Sequence, residues 1–365
     1  MKIGIDISQS AYRGSGVGHF TEGLIKAICQ YDKQNEWIFF FSSLRTKINP
    51  VLKNLITDRN FRLVEKRFPP RLLSFLWNRL HVLPIELFCG KLDWFISSDW
   101  TEPPSQAQKT TIVHDLAFLR YPSTVAPIIL NTQKHRLNRV GRESKVIFVD
   151  SEATGSDLIT KLGIDKNRVC VNYPGVNIPL STVKPNEVKT KYKIEKPYIL
   201  TVGKIEPRKN IRRLIDAFHE LNNESYELVI AGMHGWGNKI DTSKNVRPLG
   251  YVSDADLGAL YRGAEFFIYP SIWEGFGYPV VEAMSCGVAV ATSNTSSLAE
   301  IGGDSVLQFN PFEVNEIKHA LNELIQNKDL RKSLAEKGLN RSKKFTWKNY
   351  YDTMIKKLQA TSYKL

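Results

Sequence analysis

Two carboxylates, Glu274 and Glu282, stand eight residues apart around a Gly275-Phe276-Gly277 turn, directly after the apolar run Phe266-Phe267-Ile268-Tyr269. The run reads as a buried parallel strand, and Tyr278-Pro279 with the following Val-Val-Glu-Ala-Met reads as a helix opening on a proline. Glu274 then precedes the helix and Glu282 lies within it. The glycines remove side chains, so backbone N–H groups at the helix start can approach hydroxyls or phosphate oxygens. Helix capping alone accounts well for Glu282. It accounts less well for Glu274, which follows Trp273 in a strand-to-helix turn, where open α/β sheets place their ligands. Such a site suits a polyol or a nucleotide.

Three further constellations carry chemistry. Lys204, Arg208 and Lys209 lie within six residues between the apolar run ending at Val202 and the next helical segment, a pattern that suits two phosphates. The alternative is a solvated charged face. The segment Ser10-Ala-Tyr-Arg-Gly14-Ser-Gly16-Val-Gly18-His19 is a Gly-rich turn feeding a helix, yet its GxGxG spacing is not the dinucleotide fingerprint. It reads as backbone contact to an anion or as a flexible turn. The strand Thr111-Ile-Val ends in His114-Asp115, which presents an imidazole either to a ligand or to a structural partner. No second ligand cluster accompanies Asp115 and no Asp-x-Asp motif occurs, so no essential divalent cation is expected.

These residues sit at the ends of strand-like segments that alternate with helix-like ones twice along the chain, the pattern of parallel sheets covered by helices. In the first half Lys2–Ile7, Trp37–Phe41, Trp94–Ser97, Thr111–Val113, Val146–Val149 and Val169–Asn172 read as strands, and His19–Tyr31, Ile128–Val140 and Ala153–Leu162 as helices. In the second half strands are predicted at Tyr198–Val202, Leu228–Ala231, Phe266–Tyr269 and Val288–Ala291, with shorter ones near Arg247–Leu249 and Val306–Phe309. Helices are predicted at Ile211–Leu221, Asp256–Tyr261 and Glu316–Asn327. A polar, lysine-rich stretch from Pro179 to Pro197 marks the linker. The expected domains are 1–180 and 187–346, with a C-terminal helix in 347–365 packing back on the first, and a ligand cleft at the strands' carboxyl ends.

At 365 residues the chain is comfortable for two domains. Its four cysteines are scattered without a CxxC pair, which indicates neither a zinc knuckle nor a disulfide framework and fits a reducing, cytoplasmic setting. The opening Met1-Lys-Ile-Gly-Ile-Asp is charged too soon for a signal peptide, and no run is long enough to span a bilayer. The net charge of +13 raises a nucleic-acid-binding reading, but no recognised binding motif supports one. Part of the basic excess lies in 59–80, where Arg59, Arg62, Lys66, Arg67, Arg71 and Arg79 face only Glu65 and alternate with Phe68, Leu72, Phe75, Trp77 and Leu80. This amphipathic segment either lies on an anionic membrane surface or buries its apolar stripe in the core.

Taken in order, Val202-Gly-Lys-Ile-Glu-Pro-Arg-Lys-Asn, Leu249-Gly-Tyr-Val, Tyr269-Pro-Ser-x-x-Glu-Gly-Phe-Gly-x-Pro-x-x-Glu-Ala and Ser296-Ser-Leu-Ala-Glu300 resemble the ordered motifs of the family 4 retaining glycosyltransferases. The Gly16 loop, His114-Asp115, Ser151-Glu152 and Tyr173-Pro-Gly-Val-Asn177 match in order in the first half. The resemblance implies the GT-B fold, two Rossmann-like α/β domains with a cleft between them, the first binding the acceptor and the second the nucleotide-sugar, and a nucleotide-sugar donor with no further cofactor. It further implies that Glu274 contacts hydroxyls of the transferred sugar, assisted by the Phe276 and Gly277 amides, and that Glu282 binds the ribose. Lys204, Lys209 and Arg208 would neutralise the diphosphate, Tyr251 and Val252 would lie beside the base, Gly16 and Gly18 would close over the phosphates, and His114 would lie near the sugar. The family position of Lys204 is often Arg, so a single-point contact replaces a fork. The Glu-Pro-Arg-Lys-Asn form resembles bacterial mannosyltransferases of surface-polysaccharide assembly, which implies GDP-mannose as donor and a saccharide acceptor; a lipid-linked acceptor would explain the basic aromatic segment 59–80 and would set a cytoplasmic enzyme peripherally on the inner face of the membrane. A nucleotide-sugar 2-epimerase shares the two-domain plan and is the alternative enzyme.

Overall fold

The computed structural model describes residues 1–12, 14–59, 61–177, 182–235, 242 and 245–362. The chain divides into two compact bodies, the first running over Met1–Gly175 and taking back the chain from Thr346 onward, the second being Val176–Phe345.

The first body is built on seven strands: β1 Lys2–Asp6, β2 Glu36–Ser42, β3 Arg62–Lys66, β4 Trp94–Ser97, β5 Gln108–Val113, β6 Ser144–Val149 and β7 Val169–Val171. They pair in parallel in the order β3-β2-β1-β4-β5-β6-β7. Helices cover both faces of such a sheet, so central strands read as continuous apolar runs. Trp37, Ile38, Phe39 and Phe40 of β2 are all fully buried. Order reverses between β1 and β4, and the crevice outside their carboxyl ends is a topological switch point.

The helix Trp347–Ser362 packs on this first body, burying Tyr350, Met354 and Leu358 among residues of β1, β2 and helix Gly16–Tyr31. Trp347 fits where Gly23 has no side chain: a Cβ there would stand 2.0 Å from Trp347 Cζ2. Helix Gly16–Tyr31 begins three residues before the predicted His19, because Ser15 caps it by accepting from the Gly18 N–H at 3.1 Å.

The basic stretch 59–80 is not one amphipathic segment. Arg62–Lys66 is the edge strand β3, with only Val64 buried and its charges outward, as edge strands carry charge against unwanted pairing. A helical stretch follows from Pro70 to Leu80, which sinks Leu73 and Trp77 into the core and leaves Leu72, Phe75 and Leu80 exposed.

The second body carries β8 Tyr198–Val202, β9 Glu227–Ala231, β10 Val246–Gly250, β11 Phe266–Tyr269, β12 Val290–Ser293 and β13 Leu307–Phe309, parallel in the order β10-β9-β8-β11-β12-β13. Its switch point falls between β8 and β11. The expected linker starts at Pro179, which lies outside the described residues. Its later part is a helix, Pro185–Lys191, with Val188 fully buried in the second body's core. Lys191 and the Tyr192 hydroxyl reach Asp256 at 2.6 and 2.9 Å. Among the described residues no helix is long and apolar enough to cross a membrane.

Candidate active site

Two loops meet at the switch point of the second sheet. The loop after β8 makes a short helical turn, Pro207–Lys209, and enters helix Ile211–Glu220 through Asn210. The Asn210 amide donates to the Pro270 and Pro311 carbonyls at 3.1 and 2.7 Å. The Arg208 carbonyl accepts from the Ile272 N–H at 2.9 Å. The basic loop is thereby fastened to the segment that follows β11, and Arg208, Lys209 and Glu274 come together.

Glu274 is buried, and every oxygen of its carboxylate is engaged. Oε1 accepts from Lys209 Nζ at 2.6 Å, the Ser271 hydroxyl at 2.5 Å and the Tyr269 hydroxyl at 3.0 Å. Oε2 accepts from Arg208 Nη1 at 2.9 Å, while Arg208 Nη2 reaches Glu206 at 3.1 Å. Lys209 Nζ also donates to the Tyr269 hydroxyl at 2.7 Å. Burial alone would raise the Glu274 pKa, but the Arg208 and Lys209 charges and these donors outweigh it and hold the group at about 2. Glu274 is therefore an anion throughout the neutral range and has no proton to donate. Burial pushes the Lys209 pKa down, against the pull of Glu274.

Past Glu274 the chain turns at Gly277, whose φ of +98° and whose missing Cβ, 2.6 Å from Leu298 Cδ2 were it present, both demand glycine. Helix Tyr278–Ser285 starts there with proline in its first turn. The Phe276 ring is buried against Tyr278 and Phe345, leaving only its backbone for a ligand. Glu282 accepts from the Tyr261 hydroxyl at 3.0 Å. Burial, reinforced by Asp254, raises its pKa to about 7 in spite of that bond. Lys204 and Tyr251 are exposed, whereas Val252 is partly buried against the core.

In the first body, His114 ends β5 with Nδ1 2.7 Å from Asp150 Oδ2, at the end of neighbouring β6. Burial opposes a charged imidazole, but the Asp150 carboxylate, with Asp99 behind it, raises the His114 pKa to about 9. The ring packs edge-on against Phe20 at 4.5 Å. Gly16 opens the first helix, and the Gly18 N–H is taken up by Ser15.

Asp150, Tyr269, Ser271 and Tyr261 were not singled out from sequence. Strands predicted from sequence run up to His114 and Asp150, but that the two lie side by side is known only from the sheet order. The two hydroxyls on Glu274 depend on a turn whose geometry no periodicity reveals. Among the described residues no group of three or more His, Cys, Asp or Glu side chains is placed to hold a metal ion.

Residues 184–341 match the family model described as "Glycosyl transferases group 1". The O-antigen chain mannosyltransferase B of Escherichia coli is 32% identical over 262 residues, covering 68% of this chain and 69% of that protein. The serotype-specific mannosyltransferase WbdA of Escherichia coli is 30% identical over 245 residues, 60% of this chain but only 29% of that longer protein. Sucrose-phosphate synthase from Thermosynechococcus elongatus superposes over all of both chains with a TM-score of 0.75 at 15% identity, a likeness of fold. With two parallel α/β sheets, the ordered motifs around Glu274 and these relatives, the chain belongs to the group 1 glycosyltransferases and has the GT-B fold.

Proposed function

We propose that this glycosyltransferase moves mannose from GDP-mannose to a saccharide acceptor, lipid-linked, in assembly of a surface polysaccharide, and that it does so with retention and without a metal. The observation that carries the reading is the buried Glu274 anion held between Lys209 and Arg208 at the second sheet's switch point. Group 1 enzymes use nucleotide-sugar donors, and departure of the nucleotide builds negative charge on phosphate and positive charge at the anomeric carbon. Lys209, Arg208 and exposed Lys204 would meet the first, and the Glu274 carboxylate the second. Sugar hydroxyls would donate to Glu274, the ribose to Glu282, and the base would lie by Tyr251 and Val252. The Phe276 and Gly277 amides would face the sugar, Gly16 and the turn before Gly18 would cover the phosphates, and cationic His114 would donate to a sugar hydroxyl.

In the transfer the bond from anomeric carbon to phosphate oxygen breaks and its electron pair leaves with GDP. The acceptor oxygen bonds the same face, and its proton passes to the leaving phosphate oxygen. Glu274 neither attacks nor donates a proton in this scheme. Mannose and the polysaccharide setting are supported by the named mannosyltransferase relatives, which also weigh against the epimerase alternative. A lipid carrier and contact with an anionic membrane are supported by exposed Leu72, Phe75 and Leu80 beside Arg71 and Arg79, on a cytoplasmic enzyme. Incubating the protein with GDP-mannose and an α-mannoside in EDTA, and reading the product by NMR, is the test. A new α-mannosidic linkage is expected; a β linkage, or turnover of GDP-mannose to another nucleotide-sugar without acceptor, would overturn the reading.

A further inference from the structure

The segment that follows β12 grips the Glu274 loop residue by residue. Strands β11 and β12 pair in parallel, so both segments leave the same edge of the sheet. The Thr295 hydroxyl donates to the Ile272 carbonyl at 2.9 Å. The Ser296 hydroxyl accepts from the Glu274 N–H at 3.1 Å, from a residue held at φ +55°, a left-handed conformation that serine seldom adopts. The fully buried Ser297 hydroxyl donates to the Glu274 carbonyl at 3.0 Å and to the Phe276 carbonyl at 2.9 Å, its one hydrogen shared between them. Leu298 occupies the space that a side chain at Gly277 would need.

Ser297 differs from its neighbours in what its bonds fix. A trans peptide is planar, with its C=O and N–H pointing opposite ways. Among the described residues no peptide bond is cis. The Glu274 carbonyl shares its plane with the Gly275 N–H, and the Phe276 carbonyl shares its plane with the Gly277 N–H. With both carbonyls drawn to Ser297, these two N–H groups are turned away from it. Both glycines are buried, and neither N–H meets a protein acceptor among the described residues. Buried backbone donors are nearly always paired, so two free ones beside a buried anion mark a place for ligand oxygens. A hydroxyl both donates and accepts, so a sugar hydroxyl can give its hydrogen to Glu274 and take one from such an amide.

We infer that Ser297 is a positioning residue for glycosyl transfer: its single hydroxyl fixes the two peptide planes that present the Gly275 and Gly277 N–H groups to the donor sugar. This rests on the donor-site reading above and adds to it a residue that acts only through the backbone, since its own side chain is fully buried. Thr295 makes the same kind of bond to the same loop, but on the Ile272 carbonyl, ahead of Glu274. It is the natural control for a role that is merely structural.

The sequence contains a single Phe-Gly pair, Phe276-Gly277, so protein carrying 13C-carbonyl phenylalanine and 15N-glycine gives one carbonyl–amide NMR correlation, that of Gly277. It is read in the wild type, Ser297→Ala and Thr295→Val, with GDP and GDP-mannose affinities measured by calorimetry. In the wild type the Gly277 signal should move with GDP-mannose and not with GDP. Without ligand it should be displaced in Ser297→Ala and unmoved in Thr295→Val. GDP-mannose should bind Ser297→Ala about three- to tenfold more weakly, the loss of about one hydrogen bond, with GDP affinity unchanged in both variants. If Ser297→Ala does not fold, Ser297→Cys, with a weak donor in the same place, carries the same expectations. A Gly277 signal identical in the wild type and the Ser297 variant would overturn the inference. So would equal losses in the Ser297 and Thr295 variants, or GDP weakened as much as GDP-mannose. A wild type that binds neither GDP nor GDP-mannose would strike at the proposed donor. UDP-glucose is then the probe, and a Gly277 signal that it leaves unmoved would overturn the inference as well, whereas one that it moves would uphold it.

Discussion

Replacing Glu274 by glutamine changes one atom and removes the charge on which the candidate donor site is organised. Its carboxyl is held at about 2 against an ordinary value of 4.5, in a side chain that is 10% exposed. At 1.36 kcal/mol per pKa unit, that gap corresponds to about 3 kcal/mol of native stability carried by the ionised form. The sign follows from the lowered pKa: the contribution is complete above 4.5 and fades as pH falls through about 2. In Glu274→Gln the amide keeps the volume but takes the carboxylate away from Lys209 and leaves Arg208 its pairing with Glu206. Its stability at pH 7 should fall by about 3 kcal/mol, roughly 6–12 °C in melting temperature for a body of this size. The difference from wild type should narrow steadily between pH 5 and pH 3 (about). Differential scanning calorimetry across that range reads it directly. Transfer should fall roughly 10²–10³-fold at pH 7, the usual cost of one lost electrostatic contact to a transition state. A stability difference that stays constant from neutral to acid pH would refute the reasoning, because the effect would then be steric.

The remaining predictions use other parts of the molecule. Asp150→Asn should bring the His114 pKa from about 9 back toward 6.5, so a transfer rate that declines above pH 9 (about) in the wild type should decline near pH 6.5 in the variant; superimposable pH–rate profiles would remove His114 from the reaction. The same raised pKa gives stability that is full below 6.5 and lost as pH rises through about 9. Glu282, at about 7, lies above its ordinary 4.5, so folding disfavours its ionised form as pH rises through that window. If the ribose donates to this carboxylate, calorimetric GDP affinity should rise about tenfold from pH 6 to pH 8, and Glu282→Gln should flatten the rise. Gly23→Ala would place a methyl 2.0 Å from Trp347 Cζ2 and should cost about 1–3 kcal/mol in urea unfolding; an unshifted midpoint would show that the helix Trp347–Ser362 yields without cost.

The fold class was legible because buried parallel strands leave continuous apolar runs, such as Trp37–Phe41 and Phe266–Tyr269, separated by helical spacing. What escaped was set by edges and caps. The strand β3 hides in a basic stretch because an edge strand needs only Val64 inside, and its Arg62, Glu65 and Lys66 read as a charged face. The first helix starts at Gly16 because of a Ser15 cap that a glycine-rich reading takes for a loop. The helix Pro185–Lys191 has a single buried residue, Val188, and so looked like a linker. At the site, charge and position marked Glu274, Arg208 and Lys209, and the fold brings the three into contact. The hydroxyls of Tyr269 and Ser271 that complete the Glu274 shell required the turn after β11 to be known, and the Asp150 beside His114 required the pairing of β5 with β6.

Titration of GDP in EDTA into the wild type, Lys209→Met and Lys204→Met tests the assignment of the donor site most directly. The account predicts that GDP binds the wild type, that Lys209→Met loses at least about tenfold in affinity through a lost charge-assisted contact to phosphate, and that Lys204→Met loses less because that side chain is exposed. GDP bound equally well by all three folded proteins would contradict it.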